Sequence, residues 1–209
     1  MLILVRHGQS ALNAKGVLVG RSDPGLTDLG LLQAMAIGEA VASGGQGSFR
    51  LLTSPLGRAR ETAAAIAEAS DKKGREVAGP DVDERLVELD YGSYDGTSPG
   101  DLPAGTWQAW RSDPSFRPPG GESLSDLHKR CDPLWAELAS KAAPAEGDVV
   151  AVSHVSPIKA AVAWALGAGP ELAWRLHLQV ASITRISTGP GGVCLVSFGE
   201  IGHLASVRR

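Results

Sequence analysis

The sequence contains few cysteines and no long apolar run. Its 209 residues include only Cys131 and Cys194, and their separation fits neither a metal-binding nor a redox motif. We expect both cysteines to be small core residues in a reducing cytosol. No apolar stretch approaches the length of a membrane span, and the short one at the start is interrupted by Arg6, which argues against a signal peptide. These absences predict a cytoplasmic protein.

An excess of positive charge is also missing. The net charge is −3 and the sequence pI is about 5.9, so no overall positive potential would hold nucleic acid or anionic lipid. We therefore expect neither a nucleic-acid partner nor a membrane partner, and a homodimer stays open. A chain of 209 residues can bury a substantial core, and it shows no internal repeat or linker-like stretch. We predict one domain over residues 1–209.

Strand-like apolar runs alternate with helical patterns along the chain. The helical patterns cover about 27–42, 56–69 and 123–142, and Pro133 is expected to kink the last one. Two alternating stretches, 181–187 and 193–198, flank a glycine-rich turn and predict a hairpin. Strands joined by helices favour a parallel sheet covered on both faces. The predicted fold class is α/β, a three-layer α/β/α architecture with a mainly parallel central sheet and an antiparallel edge.

Residues 95–121 do not fit a compact scaffold. The segment is rich in proline and glycine and has only one short helical piece, near Trp107 and Trp110. A connection of this length is usually functional or disordered. Together with Phe116, the two tryptophans provide too much apolar surface for a disordered tract. We predict an ordered cap over the catalytic strand ends, with a disordered or purely structural loop as the alternative.

Arg6, His7 and Gly8 directly follow the apolar run Leu2–Val5. A short buried strand of this kind delivers reactive groups to its carboxyl end, where ligands bind in open α/β sheets. An imidazole can attack phosphorus, and a guanidinium can fork onto two phosphate oxygens. Without further motifs, these three residues fit a phosphate-binding strand end and an ordinary exposed strand end equally well.

Three further segments place a reactive side chain just beyond an extended stretch. They are residues 51–63 with Arg58, residues 84–92 with Glu88, and residues 149–154 with His154. Together with the first motif, and in this order, they make the sequence similar to the histidine phosphatase superfamily, which includes cofactor-dependent phosphoglycerate mutases and many phosphomonoesterases. The resemblance runs from Leu2 to about Leu166 and is specific because four separated motifs agree.

The resemblance implies that His7 is a nucleophile that becomes transiently phosphorylated at a ring nitrogen. Arg6, Arg58 and His154 match the residues around the transferred phosphoryl group, where their donors would meet charge on its equatorial oxygens. Asn13 matches a further phosphate contact through its amide. An Asx turn that closes the loop would also explain an asparagine at this position.

Glu88 matches the family's acidic residue by its spacing to Gly92, and we expect it to end a strand. A carboxyl that faces a phosphate dianion keeps its proton more readily, so Glu88 can protonate the leaving oxygen and then deprotonate water. The nearby acids Asp83, Glu84 and Asp90 are alternative candidates for this proton transfer, but the spacing of the motif favours Glu88.

Departures from the mutase pattern favour hydrolysis. Mutases of the family carry a lysine shortly after the motif that ends here at Gly96, an adjacent pair of arginines, and an asparagine after the second His-Gly. Here residues 97–101 contain no lysine, Arg111 stands alone, and Val155-Ser156 replaces Gly-Asn, which brings a β-branched side chain close to the phosphate-binding residues.

We therefore expect a phosphomonoester hydrolase that acts on a small-molecule substrate and needs neither metal nor cofactor. A phosphoglycerate mutase-type phosphotransferase is the alternative within the family. A phospho-ligand-binding pseudoenzyme is the alternative from another functional class. The natural substrate stays open.

Overall fold

The computed structural model describes residues 1–45, 47–142 and 147–207. The strands of this part of the chain are β1 (Leu2–Arg6), β2 (Phe49–Thr53), β3 (Val77–Val82), β4 (Asp148–Ser153), β5 (Ile183–Gly189) and β6 (Gly192–Glu200). Its α-helices are α1 (Ala11–Ala14), α2 (Asp28–Ser43), α3 (Gly57–Lys72), α4 (Thr106–Ser112), α5 (Leu124–Lys141) and α6 (Val155–Leu166). The predicted helices and the predicted hairpin are all present close to their expected boundaries.

The strands form one sheet in the order β3-β2-β4-β1-β5-β6. Strands β3, β2, β4 and β1 are parallel, and β5 and β6 continue the sheet in antiparallel pairing. This confirms a mainly parallel sheet with an antiparallel edge. In the central pair, Arg6 lies opposite Ser153, so the residues that follow β1 and β4 emerge side by side at the same edge.

Helices cover both faces of the sheet. Leu2 and Leu4 point to the face covered by α5 and α6, whereas Ile3 and Val5 point to the face covered by α2 and α3. Because β1 is buried on both faces, its side chains are apolar without alternation. The predicted α/β/α layering is confirmed.

Side-chain caps fix the starts of two long helices. Thr27 accepts a hydrogen bond from the backbone N–H of Gly30 at the start of α2. Ser123 and Asp126 form a capping box at the start of α5. Such caps satisfy backbone donors that a helix start leaves without intrahelical partners. The described helices include none long and apolar enough to cross a membrane.

The segment before Glu88 differs from the prediction. Strand β3 ends at Val82, and Glu84–Leu86 form a single 3₁₀ turn that leads into irregular backbone. The turn forms because the Asp83 carboxylate accepts a hydrogen bond from the backbone N–H of Arg85, a local alternative to strand pairing. The expectation that Glu88 ends a strand is therefore wrong.

The two cysteines also differ from each other. Cys131 is buried on α5, as predicted, but Cys194 is exposed on β6. Strand β6 lies at the outer edge of the sheet, and its residue Val193 is likewise exposed. The expectation that both cysteines lie in the core is wrong for Cys194.

The cap segment is ordered and packs on the core. It contains a 3₁₀ turn at Pro99–Asp101 and helix α4. Trp110 is buried, stacks on Trp107 with ring centroids 5.7 Å apart, and contacts Phe116 at 5.6 Å. Trp174 joins the cluster from a separate 3₁₀ helix, with its ring 5.8 Å from Trp110. The proline-rich connection is therefore held by an aromatic cluster.

Candidate active site

His7 lies buried at the carboxyl end of β1, with one ring nitrogen protonated and a lone pair on the other. Its Nδ1 is 2.7 Å from the carbonyl oxygen of Gly8, and the Nε–H of Arg58 points at its Nε2 over 3.2 Å. Because a guanidinium only donates, Nε2 must carry the lone pair and Nδ1 the proton. Burial, Arg58 and Arg6 hold the pKa of His7 well below its ordinary value. A neutral imidazole with an Nε2 lone pair is the nucleophilic form.

Gly8 is required by the close approach of helix α2. A Cβ atom at this position would collide with the backbone of Gly30. The glycine therefore lets α2 pack directly against the turn that carries His7.

Arg58 is fully buried in the first turn of α3. Its Nη1 donates to the carbonyl oxygen of Ser22 over 2.7 Å, and its Nη2 donates to that of Gly20 over 2.8 Å. Asp23 lies 3.4 Å from Nη1. These contacts hold the guanidinium rigidly, with Nε directed at His7.

Arg6 places a second cation beside the same nucleophile. Its Nη1 donates to the carbonyl oxygen of Leu178 over 2.5 Å, whereas its buried Nε has no partner in the described part of the chain. Burial lowers the pKa of Arg6 to about 10, and the Glu88 carboxylate opposes that shift. Arg6 therefore stays charged at neutral pH. A buried donor without a protein partner is costly unless a ligand accepts from it.

His154 follows β4 and reaches His7 across the central strand pair. Their ring centroids are 4.9 Å apart in an edge arrangement. The Nε2 of His154 lies 2.7 Å from the hydroxyl of Ser54, and that hydroxyl accepts the backbone N–H of Leu56 over 3.4 Å. Because a hydroxyl both donates and accepts, this contact fits either tautomer of His154. Its buried Nδ1 has no partner among the described residues, so in the Nδ1-protonated tautomer it is a second unused donor.

Glu88 is buried, and its carboxylate lies at the start of helix α6. It accepts hydrogen bonds from the backbone N–H groups of Leu89 at 2.7 Å, Val155 at 3.1 Å and Ser156 at 3.2 Å. The exposed N–H groups of a helix start and the helix dipole both favour a carboxylate there. Because the contact from Val155 comes from its backbone, valine in place of the usual glycine preserves it.

The irregular segment around Glu88 is held by two residues that the sequence analysis missed. Arg130 forms a bidentate pair with Glu122 at 2.7 and 2.9 Å. The same guanidinium donates to the carbonyl oxygens of Arg85 at 2.8 Å and of Glu88 at 3.2 Å. The backbone N–H of Glu122 donates to the carbonyl oxygen of Asp90 over 2.9 Å. We call Arg130 and Glu122 the acid clamp, because they fix the backbone on both sides of Glu88.

Asn13 takes part in a capping box at the start of α1. Its side-chain oxygen accepts from the backbone N–H of Ser10 at 3.1 Å and from the Ser10 hydroxyl at 2.9 Å. This local role agrees with the turn-closing alternative. The cap uses the oxygen and not the amide N–H groups, so a phosphate contact from Asn13 stays a prediction.

The arrangement suits a phosphate dianion. Two guanidinium groups and two imidazoles converge from the ends of β1 and β4 and the start of α3, with one carboxyl beside them. In the described ranges, no group of three or more His, Cys, Asp or Glu side chains could hold a metal ion. Preorganised cationic and N–H donors can stabilise the charge of a transferring phosphoryl group.

Solved structures with the same fold include two phosphatases. A mycobacterial glucosyl-3-phosphoglycerate phosphatase, solved with VO3, is 30% identical; the match covers 96% of this chain and 98% of that one, with a TM-score of 0.82. A phosphoserine phosphatase variant from Entamoeba histolytica, solved with phosphoserine, is 25% identical over 97% of this chain and 98% of that one, also with a TM-score of 0.82.

Curated relatives include a bifunctional protein and a mutase. The bifunctional protein of Mycobacterium tuberculosis is 36% identical over 186 residues, which are 88% of this chain and 49% of that protein. The chain thus spans about half the length of the first curated relatives it matches. A 2,3-bisphosphoglycerate-dependent phosphoglycerate mutase of Brucella melitensis is 34% identical, covering 89% of this chain and 92% of the mutase. Residues 2–201 match the histidine phosphatase superfamily (branch 1), and the chain belongs to this family.

Proposed function

We propose that the protein is a phosphomonoester hydrolase that works through a phosphohistidine on His7. The observation that carries this proposal is the state of His7, a buried neutral imidazole whose Nε2 lone pair faces Arg58. The other donors around it match the charge of a phosphoryl group, and Glu88 lies beside them.

In the first step, phosphate oxygens take over the donor of Arg58 that now contacts His7, together with the unused donors of Arg6 and His154. The Nε2 lone pair then attacks phosphorus, and the bond to the leaving oxygen breaks. Glu88 acts as the general acid of this step and gives a proton to the departing oxygen. The products are phosphohistidine, a free alcohol and the Glu88 carboxylate.

In the second step, the Glu88 carboxylate removes a proton from water as the water oxygen attacks phosphorus. The bond between phosphorus and Nε2 breaks, and its electron pair returns to His7. Inorganic phosphate leaves, and Glu88 is again protonated. One carboxyl group thus serves as acid and then as base.

Hydrolysis is favoured over phosphoryl transfer to a sugar phosphate by the residues around the leaving group. Arg111, alone where mutases carry an adjacent pair, lies 6.0 Å from the ring centroid of Trp107 and 5.9 Å from that of Trp174. Its guanidinium therefore covers the aromatic cap. The mutase of Brucella melitensis, at 34% identity, keeps mutase-type transfer as the second candidate.

The test is to follow the fate of the phosphoryl group. We expect release of inorganic phosphate from nitrophenyl phosphate and from 3-phosphoglycerate, without isomerisation of the latter even when 2,3-bisphosphoglycerate is present. Isomerisation faster than phosphate release would replace the proposal by mutase activity. Phosphate binding without turnover of any phosphomonoester would instead indicate a pseudoenzyme.

A further inference from the structure

A small cavity lies between the cap and helix α6, on the Glu88 side of the site. Its volume is about 100 Å³. Its walls are mainly aromatic and apolar, and they include Tyr91, Trp107, Trp110, Trp174, Val155 and Lys159.

The cavity lies next to the contacts that hold Glu88. Val155 and Ser156 line it, and their backbone N–H groups also bind the Glu88 carboxylate. A proton donor must lie within hydrogen-bond reach of the leaving oxygen. The alcohol attached to that oxygen therefore extends toward the cavity.

Lys159 is the one charged side chain among the described residues that line this cavity. It follows Val155 by one turn of α6, and its ammonium donates to the carbonyl oxygen of Ala173 over 2.9 Å. An ammonium has three N–H donors, so two remain. Within the described ranges Lys159 forms no salt bridge. Burial lowers its pKa, and the Glu88 carboxylate opposes that shift.

We infer that this cavity selects phosphomonoesters whose leaving group is a compact, largely apolar alcohol or phenol bearing a carboxylate, with Lys159 as the specificity-determining residue. The inference rests on the proposed hydrolase function. A cavity of about 150 Å³ accommodates a whole benzene ring, so one of about 100 Å³ takes up part of a small ring and excludes a nucleoside.

The chemistry of Lys159 explains the preference for a carboxylate. A partly buried ammonium loses hydration that a neutral ligand restores only in part. A carboxylate would accept its two remaining donors in charge-assisted hydrogen bonds, which are about twice as strong as neutral ones. No acidic side chain among the described lining residues would repel such a ligand.

The experiment compares two substrates of the same shape, meta-carboxyphenyl phosphate and meta-carbamoylphenyl phosphate. In the wild type we expect kcat/KM to favour the carboxylate by roughly tenfold. Lys159→Met should bring that ratio close to one. Lys129→Met removes an exposed lysine from α5 and serves as the matched control, which should keep the wild-type ratio.

Failure of the inference and failure of the proposed function give different results. Hydrolysis of both substrates at equal kcat/KM, or a ratio that Lys159→Met leaves unchanged, overturns the inference and leaves the hydrolase standing. No hydrolysis of either substrate by a wild type that hydrolyses nitrophenyl phosphate also overturns the inference alone, whereas no hydrolysis of any of the three compounds overturns both.

A wild-type measurement covers the case in which Lys159→Met does not fold. For the wild-type enzyme, we expect the inhibition constant of meta-hydroxybenzoate to be about tenfold lower than that of meta-hydroxybenzamide. Equal inhibition by the two compounds overturns the inference.

Discussion

The two sides of the site are held in different ways. On the strand-end side, Arg6, His7 and His154 lie at the ends of β1 and β4, so strand pairing sets their positions, and Arg58 joins them from the first turn of α3. On the acid side, Glu88 lies on irregular backbone that the acid clamp and the start of α6 hold. The difference teaches that strand register fixes one half of this site, whereas side-chain hydrogen bonds fix the other.

Removing the nucleophile tests the strand-end side and gives the largest expected effect. His7→Ala should lower turnover by roughly 10⁴-fold or more, because residues that act as a unit in covalent catalysis lose most of the rate when the nucleophile is absent. The loss should be similar for alkyl phosphates and nitrophenyl phosphate, as measured by steady-state phosphate release. His177→Ala, at an exposed histidine, is the matched control and should keep wild-type turnover. A loss confined to alkyl phosphates would contradict the role of His7.

Removing the proton donor tests the acid side. Glu88→Gln should slow phosphorylation of His7 by roughly 10²–10⁴-fold for an alkyl phosphate, the usual range for general acid catalysis. Nitrophenolate is already a stable anion, so nitrophenyl phosphate should lose far less. Pre-steady-state measurement of the first step is required, because Glu88 also serves the second step. Equal losses for both leaving groups, or the same selective pattern in Asp90→Asn, would refute the assignment.

Breaking the acid clamp tests whether side-chain hydrogen bonds position Glu88. Arg130→Ala should reproduce the leaving-group pattern of Glu88→Gln on a smaller scale, roughly tenfold for an alkyl phosphate, because the proton donor is misplaced and not removed. Arg130→Lys keeps the charge but cannot form the bidentate pair and both carbonyl contacts, so it should restore only part of the rate.

Arg117→Ala is the control for the clamp. Arg117 pairs with Asp126 near the start of α5, and its side chain is 60% exposed. It should leave the leaving-group pattern unchanged. Losses in Arg130→Ala that are equal for alkyl and aryl substrates would show that Arg130 stabilises the fold without positioning Glu88.

The smallest expected effect is a pH dependence of stability that arises on the strand-end side. Burial lowers the pKa values of His7 and His154 well below the ordinary value of a histidine. The positive charge of Arg58 lowers both pKa values further, and His7 lowers that of His154. Below about pH 6.5 the unfolded chain therefore binds protons that the folded chain excludes. The free energy of unfolding should fall on acidification, by up to about 1.4 kcal/mol per pH unit for each histidine.

Urea unfolding between about pH 6.5 and pH 5 measures this slope. His7→Asn removes one of the titrating groups and should make the slope shallower, whereas His177→Ala should leave it as in the wild type. Since histidines with lowered pKa values all act in the same direction, a free energy of unfolding that rises on acidification would contradict buried neutral imidazoles.

The strand-end side could be predicted from the sequence. Apolar runs that stop at His7 and His154 indicate buried parallel strands, and parallel strands bring their carboxyl ends to one edge. Glu88 was assigned by its spacing within the motif, but its supposed strand end was wrong because Asp83 closes a turn before it.

The supports of the site could not be predicted. Ser54, Arg130 and Lys159 reach their partners over sequence separations of 100, 42 and 14 residues, respectively. Such contacts depend on how helices pack on the sheet, and no local periodicity marks them. The aromatic cap was predicted from Trp107 and Trp110, but its partner Trp174 comes from a distant turn.

Capture of the covalent intermediate tests the central claim most directly. Enzyme mixed with a radiolabelled phosphomonoester, quenched within one turnover and digested under alkaline conditions, should yield a single labelled peptide containing His7, with acid-labile and base-stable phosphate. His7→Ala should carry no label while keeping the wild-type circular dichroism spectrum. Label that persists in His7→Ala, or that is found on Ser10 or Cys131, would contradict a phosphohistidine at this position.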